Sequence, residues 1–294
     1  MNRPELAADP LLAASGAARQ EMPARSLYVV GTPIGNLADI TLRALWVLSK
    51  VDAIAAEDTR SSGALLRCYG IDTPLLAVHE HNEREMAGVI VERLRAGARV
   101  ALVTDAGTPA VSDPGARLVR AVLDAGLRVV PVPGASSLTA AASTAGLGGS
   151  LLTFAGFLPA GARQRQRLLR ELAARGEAFV LYEAPHRVAA TASELAAAVE
   201  PDRRIVVARE LTKKFETVLA CRAGELREAI GTKPRGEYVL LVDAAAAVEA
   251  DLDAVTRRWL AALAEALPAS RAAALAAKAS GVPRERLYAL LTGR

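Results

Sequence analysis

From residue 26 onward, short apolar runs rich in β-branched residues alternate with longer stretches whose apolar positions recur every three or four residues. The runs LYVV (27–30), AIAA (53–56), LLAV (75–78), VALVT (100–104) and LRVVPV (127–132) have strand length, and the stretches between them have helix length. That rhythm predicts an α/β domain. Helix punctuation agrees: Asp113 is placed to cap a helix with Pro114 at its first position, and Gly126 to close it. A Gly-rich break, Gly146-Leu147-Gly148-Gly149-Ser150, precedes a second strand set at 151–155, 178–182, 204–209, 215–220 and 236–242. The pattern therefore divides the chain into an N-terminal α/β domain at 26–147 and a C-terminal α/β domain at 148–245.

The two ends read differently. Residues 1–25, with Pro4, Pro10 and Pro23 among scattered charges, keep no period and are expected to form a flexible N-terminal extension. Residues 246–294 hold helical patterns at 252–267 and 270–280, then Gly281-Val282-Pro283 and a short last helix. A packing or dimer-contact appendage is the favoured reading of this helical tail over a nucleic-acid-binding helix-turn-helix.

Composition narrows the classes. A length of 294 residues suits two domains, and 52% apolar with 23% charged residues belongs to a globular chain rather than a disordered, collagenous or disulfide-stapled one. The net charge of +4 permits an anionic partner such as RNA without requiring one. Cys68 and Cys221 stand far apart with no CxxC spacing, which fits reduced thiols in a cytoplasm. Long apolar stretches are broken by charges or helix breakers, and the run from Leu11 follows Glu5 and Asp9 rather than a basic leader. A soluble cytoplasmic protein with no membrane association is expected.

In open α/β sheets ligands gather beyond the carboxyl ends of the strands, and here those loops are loaded with small, kinked and polar residues. They hold Gly31-Thr32-Pro33-Ile34-Gly35-Asn36, Glu57-Asp58-Thr59-Arg60, His79-Glu80-His81-Asn82-Glu83, Asp105-Ala106-Gly107-Thr108-Pro109 and Pro133-Gly134-Ala135-Ser136-Ser137. The first is neither a dinucleotide fingerprint nor a P-loop, because no Gly-Lys-Ser/Thr follows, so nucleotide hydrolysis loses support. Its glycines permit either close approach to a ligand or simply a tight turn. His79 and His81 have the spacing of a metal pair, but without neighbouring cysteines a polar loop or substrate contact is preferred and no metal is expected. Glu57, Asp58 and Arg60 suit a substrate clamp or a helix-start ion pair equally. Arg163, Arg165, Arg167, Arg170 and Arg175 crowd one helix, where a solvated face and phosphate binding compete.

In order, these segments resemble one family, the ribosomal RNA small-subunit methyltransferase I proteins of the tetrapyrrole methylase superfamily. The matching blocks are GTPIGNLADIT at 31, AAEDTR at 55, HEHNE at 79, TDAGTPAVSDPG at 104, PVPGASS at 131, GFLP at 156, EAPHR at 183, RELTKKFET at 209 and GEYVLLV at 236. The likeness runs on through the RAAALAAKASGVPRERLYALL tail. It implies two α/β domains of tetrapyrrole-methylase type with S-adenosylmethionine in the cleft between them, usually in a homodimer. It also implies methyl transfer to the 2′-oxygen of a cytidine in 16S ribosomal RNA near the decoding centre, on naked RNA or the small subunit.

Carried over by position, the resemblance implies a cofactor pocket of Thr32, Pro33, Ile34, Gly35, Asp105, Ala106, Gly107, Thr108, Pro109, Ser136 and Ser137, with Tyr182, Leu211 and Thr212 from the second domain. Glu57, Asp58, His81 and Glu83 become candidate bases, with Lys213 as a neutral base if its pKa is depressed. Arg60, Arg187 and Arg209 would hold phosphates or orient carboxylates, and Asn82, Arg163, Arg165 and Arg167 would meet substrate. A small-molecule methylase of the same superfamily and a non-catalytic RNA-binding protein are the alternatives.

Overall fold

A computed structural model of the chain describes residues 10–147, 151–246 and 252–293. The chain forms two compact units that divide after Ala245. The first unit holds α1 (Pro10–Ser15), β1 (Ser26–Val30), α2 (Leu42–Lys50), β2 (Ala53–Ala56), α3 (Thr59–Cys68), β3 (Leu75–Ala77), α4 (Glu83–Arg95), β4 (Arg99–Val103), α5 (Ala116–Asp124), β5 (Arg128–Val132) and α6 (Ser137–Ala145). It continues with β6 (Leu152–Phe157), α7 (Ala162–Ala174), β7 (Ala178–Glu183), α8 (Val188–Ala196), β8 (Arg204–Arg209), β9 (Thr217–Arg222), α9 (Leu226–Ile230) and β10 (Tyr238–Val242).

Strands β1 to β5 form a parallel sheet in the order β3-β2-β4-β1-β5. Alternation along the strands sends Tyr28, Val30, Ile54 and Val103 to one face, where α2 packs with Ala44, Leu45 and Leu48. Leu27, Ala55, Val100 and Leu102 go to the other face, against α4 and α5 through Ile90, Leu94, Leu118 and Val122. Both faces being covered explains the nearly unbroken apolar strands. The second sheet, β6-β7-β10-β8-β9, is mixed: β6 and β7 run parallel, and the remaining pairs are antiparallel. One face of it packs on α7, α8 and α9 through Leu169, Leu195 and Leu226. The other face takes α6, with Ala141 and Ala145 against Val180, Val206 and Leu241.

Two local expectations change. Residues 10–15 and 17–19 form short helical turns, and Leu12 and Ala17 are each only 2% exposed, so this part of the expected extension is anchored. α5 starts at Ala116 rather than Pro114, and Asp113 does not cap it. The Oε1 of Glu83, from the start of α4, accepts hydrogen bonds from the N–H groups of Gly115 (3.0 Å), Arg117 (2.8 Å) and Leu118 (3.1 Å). These are orphan donors of the first turn, and a carboxylate there also meets the positive end of the helix dipole.

The second unit holds α10 (Ala254–Ala266), α11 (Ala269–Ser280) and α12 (Arg284–Thr292). Leu252, Leu260, Ala273, Ala276 and Leu287 form its small core, and the Asp253 side chain caps α10 by accepting from the N–H groups of Val255 and Thr256. Gly281, at φ 74°, ends α11 in the left-handed region. Among the described residues no helix is long and apolar enough to cross a membrane.

Candidate active site

β1 and β4 are neighbours whose chain connections leave in opposite directions, to β2 and to β5. This is the switch point at which an α/β sheet opens a crevice beyond its strand ends. The two loops there are tied together: Thr32 N–H donates to the Gly107 carbonyl (2.9 Å), Gly107 N–H returns to the Thr32 carbonyl (3.1 Å), and Thr32 Oγ1 donates to the Thr104 carbonyl (3.1 Å). A third loop closes on them at Gly31 and Gly134, where a Cβ on either would come within 2.8 Å or 2.7 Å of the other's backbone. Only glycine allows that approach.

A cavity of about 480 Å3 lies where these loops face the second sheet. Its acidic wall is Glu57, Asp105 and Asp113; its apolar wall includes Ile34, Ala106, Tyr182, Leu211 and Val239. Ser137 Oγ donates to Tyr182 Oη at 2.7 Å, and Phe154 and Phe157 meet the Tyr182 ring edge-on at 4.9 and 5.6 Å. Burial, reinforced by Glu57 and Asp105, pushes the Asp113 carboxyl up to about 6. Glu57 is raised too, by burial first and by Asp105 and Asp58, against a lowering backbone hydrogen bond. Like charges sharing a half-dry wall account for both shifts. A second hollow of about 370 Å3 adjoins the first, and Ile34, Asp105, Ala106 and Glu237 border both. Pro33 and Gly35 face this second hollow.

Several expected cofactor residues brace the loops instead of lining a cavity. Thr32 is buried in the bonds just described, Thr108 Oγ1 donates to the Ala135 carbonyl (3.2 Å), Pro109 is buried, and Ser136 precedes α6. Gly107, at φ 90°, supports the turn. Thr212, at φ 65°, follows Leu211 in a strained loop, with its hydroxyl oxygen buried and without a hydrogen-bond partner.

Of the candidate bases, Glu57 alone lines the larger cavity. Asp58 caps α3 and forms an ion pair with Arg60 at 2.9 Å, and those hydrogen bonds hold its carboxyl down at about 2. His81 is exposed, with its ring 6.0 Å from that of His79 in an edge-on arrangement. Glu83 is committed to capping α5 and is 5% exposed. Lys213 is a poor neutral base: burial acts to lower its pKa, but hydrogen bonds to Glu237 and Glu210, each at 2.9 Å, outweigh it and raise the value.

The substrate set also divides. Asn82 holds its own loop, accepting from His79 N–H and donating to the Ala77 carbonyl. Arg165 is buried on α7, bound to Glu194 at 2.5 and 2.8 Å and to the Ala160 carbonyl. Arg187 donates to the Leu158 carbonyl (2.6 Å), and its Nε lies 3.2 Å from the buried Glu183. These two arginines are structural. Arg163 and Arg167 stay exposed, Arg167 with Glu171 at 3.3 Å, and Arg209 is half-buried at the end of β8. Sequence reasoning missed Asp113 and Glu237 as cavity residues. Asp113 sits within the TDAGTPAVSDPG block and Glu237 is the second residue of GEYVLLV, so the signal was present but was read as a cap and as a strand.

Among the described residues no group of three or more His, Cys, Asp or Glu is arranged to hold a metal ion. Residues 26–227 match the family model described as Tetrapyrrole (Corrin/Porphyrin) Methylases, and residues 249–293 match the RsmI C-terminal HTH domain. The second match covers the helical tail, for which a packing or dimer-contact appendage was favoured over a helix-turn-helix. The chain is 48% identical to a Ribosomal RNA small subunit methyltransferase I of Neisseria meningitidis serogroup B, over 90% of this chain and 92% of that protein. It is 45% identical to the protein of that name in Escherichia coli O157:H7, over 89% and 93% of the two chains. Among solved structures it resembles a cobalt precorrin-4 methyltransferase, at TM-score 0.56, 22% identity and 74% and 95% coverage of the two chains. It also resembles a Thermus thermophilus uroporphyrin-III C-methyl transferase complexed with S-adenosyl homocysteine, at TM-score 0.52, 23% identity and 74% and 96% coverage. With a methylase model spanning most of its length and such relatives aligned nearly end to end, the chain belongs to the tetrapyrrole methylase family, in the ribosomal RNA small subunit methyltransferase I branch.

Proposed function

We propose that the protein is an S-adenosylmethionine-dependent methyltransferase that modifies the 2′-oxygen of a cytidine ribose in 16S ribosomal RNA, acting in the cytoplasm as a homodimer. The single observation that carries this reading is the switch-point cavity with one carboxylate wall and one apolar wall in a chain of this family. The cavity fits the cofactor's chemistry. Glu57, Asp105 and Asp113 suit the sulfonium and ammonium cations, while Ile34, Leu211, Val239 and the Tyr182 ring suit the adenosine.

S-adenosylmethionine supplies the electrophilic methyl group and its own leaving group, so no enzyme nucleophile is needed. The chain must align the ribose oxygen and take up its proton. Glu57 and Asp113 share the acidic wall of the cavity and are the carboxylates offered for that proton, and their raised pKa values bring them nearer to working pH than ordinary carboxylates. As a coupled pair they hold one proton more readily than two free acids would. Tyr182 and Ser137 fix the apolar side, and Lys213 links Glu210 and Glu237 at the rim.

Titration calorimetry with S-adenosylmethionine, followed by incubation of the loaded protein with small ribosomal subunits from cells lacking the modification, tests the reading. Cofactor binding and label on 16S RNA are expected. Label on a porphyrinoid and never on RNA would favour the small-molecule alternative, and binding without transfer to any RNA would favour the non-catalytic one.

A further inference from the structure

The charges of the larger cavity do not balance. Five carboxylates line it, and among its described lining residues there is no lysine or arginine, His186 being the one basic side chain. Two of the five are answered from beside the cavity: Glu183 by Arg187 Nε at 3.2 Å and the Thr191 hydroxyl at 2.6 Å, and Glu237 by Lys213 at 2.9 Å. Glu57, Asp105 and Asp113 make no ion pair among the described residues, and the neighbouring Asp58 is already paired with Arg60. The fold nevertheless fixes these acids in place. Asp105 Oδ1 accepts from Asp58 N–H at 3.2 Å. Asp113 sits in a loop with Ala110 at φ 65° and Ser112 at φ 69°, fastened where Gly115 N–H donates to Glu83. Left-handed backbone at two non-glycine residues persists only where the surroundings enforce it, and it is concentrated at ligand sites.

Three unpaired carboxylates in one half-dry cavity repel one another, and either a proton or a cation relieves that repulsion. The raised Asp113 and Glu57 carboxyls are the proton's share of this relief. A cationic ligand takes the proton's place, whereas a ligand of the same shape without the charge does not. We infer that the acidic wall holds either one proton or the sulfonium charge of S-adenosylmethionine, so that the cofactor binds with release of a proton from Asp113 and Glu57 while its demethylated product, S-adenosyl homocysteine, binds without that release. The inference rests on the methyltransferase reading above and adds to it how the wall tells cofactor from product. Methyl transfer preserves the balance. The C–S bond breaks with its electron pair left on sulfur, an O–CH3 bond replaces the ribose O–H bond, and the freed proton takes over on the wall from the lost sulfonium charge.

Titration calorimetry of the full chain with S-adenosylmethionine and with S-adenosyl homocysteine, each in buffers of different ionisation enthalpy, counts the protons exchanged. The two ligands share their amino-acid and adenosine groups, so the difference between them isolates the charge on sulfur. With the Asp113 carboxyl at about 6, the cofactor should release about half a proton more than the product at pH 6, and its affinity relative to the product should fall about tenfold from pH 8 to pH 5. Asp113→Asn should remove most of this difference, because Glu57 then loses a like-charged neighbour, and Glu57→Gln should shrink it for the same reason. His186→Gln, which changes the imidazole of the lining, should leave it in place. An equal proton count for the two ligands, or a difference that disappears with His186 and survives in Asp113→Asn, would overturn the inference and leave the methyltransferase reading standing. A protein that binds neither ligand would overturn both.

Discussion

Glu83 and Asp113 exchange the roles that their sequence positions suggest. Asp113-Pro114 has the form of a cap, but Glu83 reaches the start of α5 from another element and takes three N–H groups there. Nothing local in the sequence shows that reach. Glu83→Ala should lower stability by roughly 1–2 kcal/mol in denaturant titration, with Glu83→Gln recovering part of it, and leave the cofactor affinity of the folded protein near normal. Asp113 behaves oppositely. Its carboxyl is raised to about 6, so the folded state binds that proton more tightly than the unfolded chain does; its contribution to stability is present at acid pH and is lost as pH rises through about 6. Asp113→Asn should therefore melt above wild type at pH 8, with the difference gone by about pH 4, where the wild-type carboxyl is already protonated. The same variant should transfer methyl groups more slowly. In the wild type, transfer should decline as pH falls through about 6, because a protonated carboxyl accepts no proton.

At the scale of elements, every strand was legible, because β-branched runs bounded by glycine, proline and charge leave little choice of period. The order β3-β2-β4-β1-β5 was not, since parallel pairing joins segments far apart in sequence. α7 shows the same limit on its polar face. Its arginines look alike in a row, but the helix turns Arg165 inward onto Glu194 and leaves Arg163 and Arg167 outward. Arg165→Glu should destabilise the fold, because it sets two carboxylates together in a half-dry site. Arg163→Glu with Arg167→Glu should leave stability unchanged, weaken RNA binding, and reduce the slope of log affinity against log salt by about 0.7–0.9 for every phosphate that the helix no longer neutralises. An unchanged slope would return this helix to a solvated face. In the loops, Gly35→Leu should perturb the site directly, since a Cβ there would collide with the Lys213 side chain. Because Gly35 borders the second hollow and not the larger cavity, calorimetry on the folded variant should show near-normal S-adenosylmethionine binding, and lost binding would place the cofactor in that hollow instead.

Over the whole molecule, the parallel sheet supplies a switch point, the mixed sheet supplies the facing apolar wall, and their shared cavity meets a second hollow across Ile34, Asp105 and Ala106. The loops that close around the cavity were readable from their motifs, because small residues at strand ends are needed wherever backbone segments approach this closely. The acid wall was only partly readable: Glu57 was among the candidates, while Asp113 and Glu237 join it through loops that close only in three dimensions. The measurement that bears most directly on the account is mass analysis of nucleosides from 16S RNA after small subunits lacking the modification are incubated with the protein and methyl-labelled S-adenosylmethionine. The account predicts the label in 2′-O-methylcytidine, with Glu57→Gln or Asp113→Asn slowing its appearance by about a hundredfold if that residue serves as the base. Label on a base rather than a ribose, or no label in RNA from a protein that binds the cofactor, would contradict it.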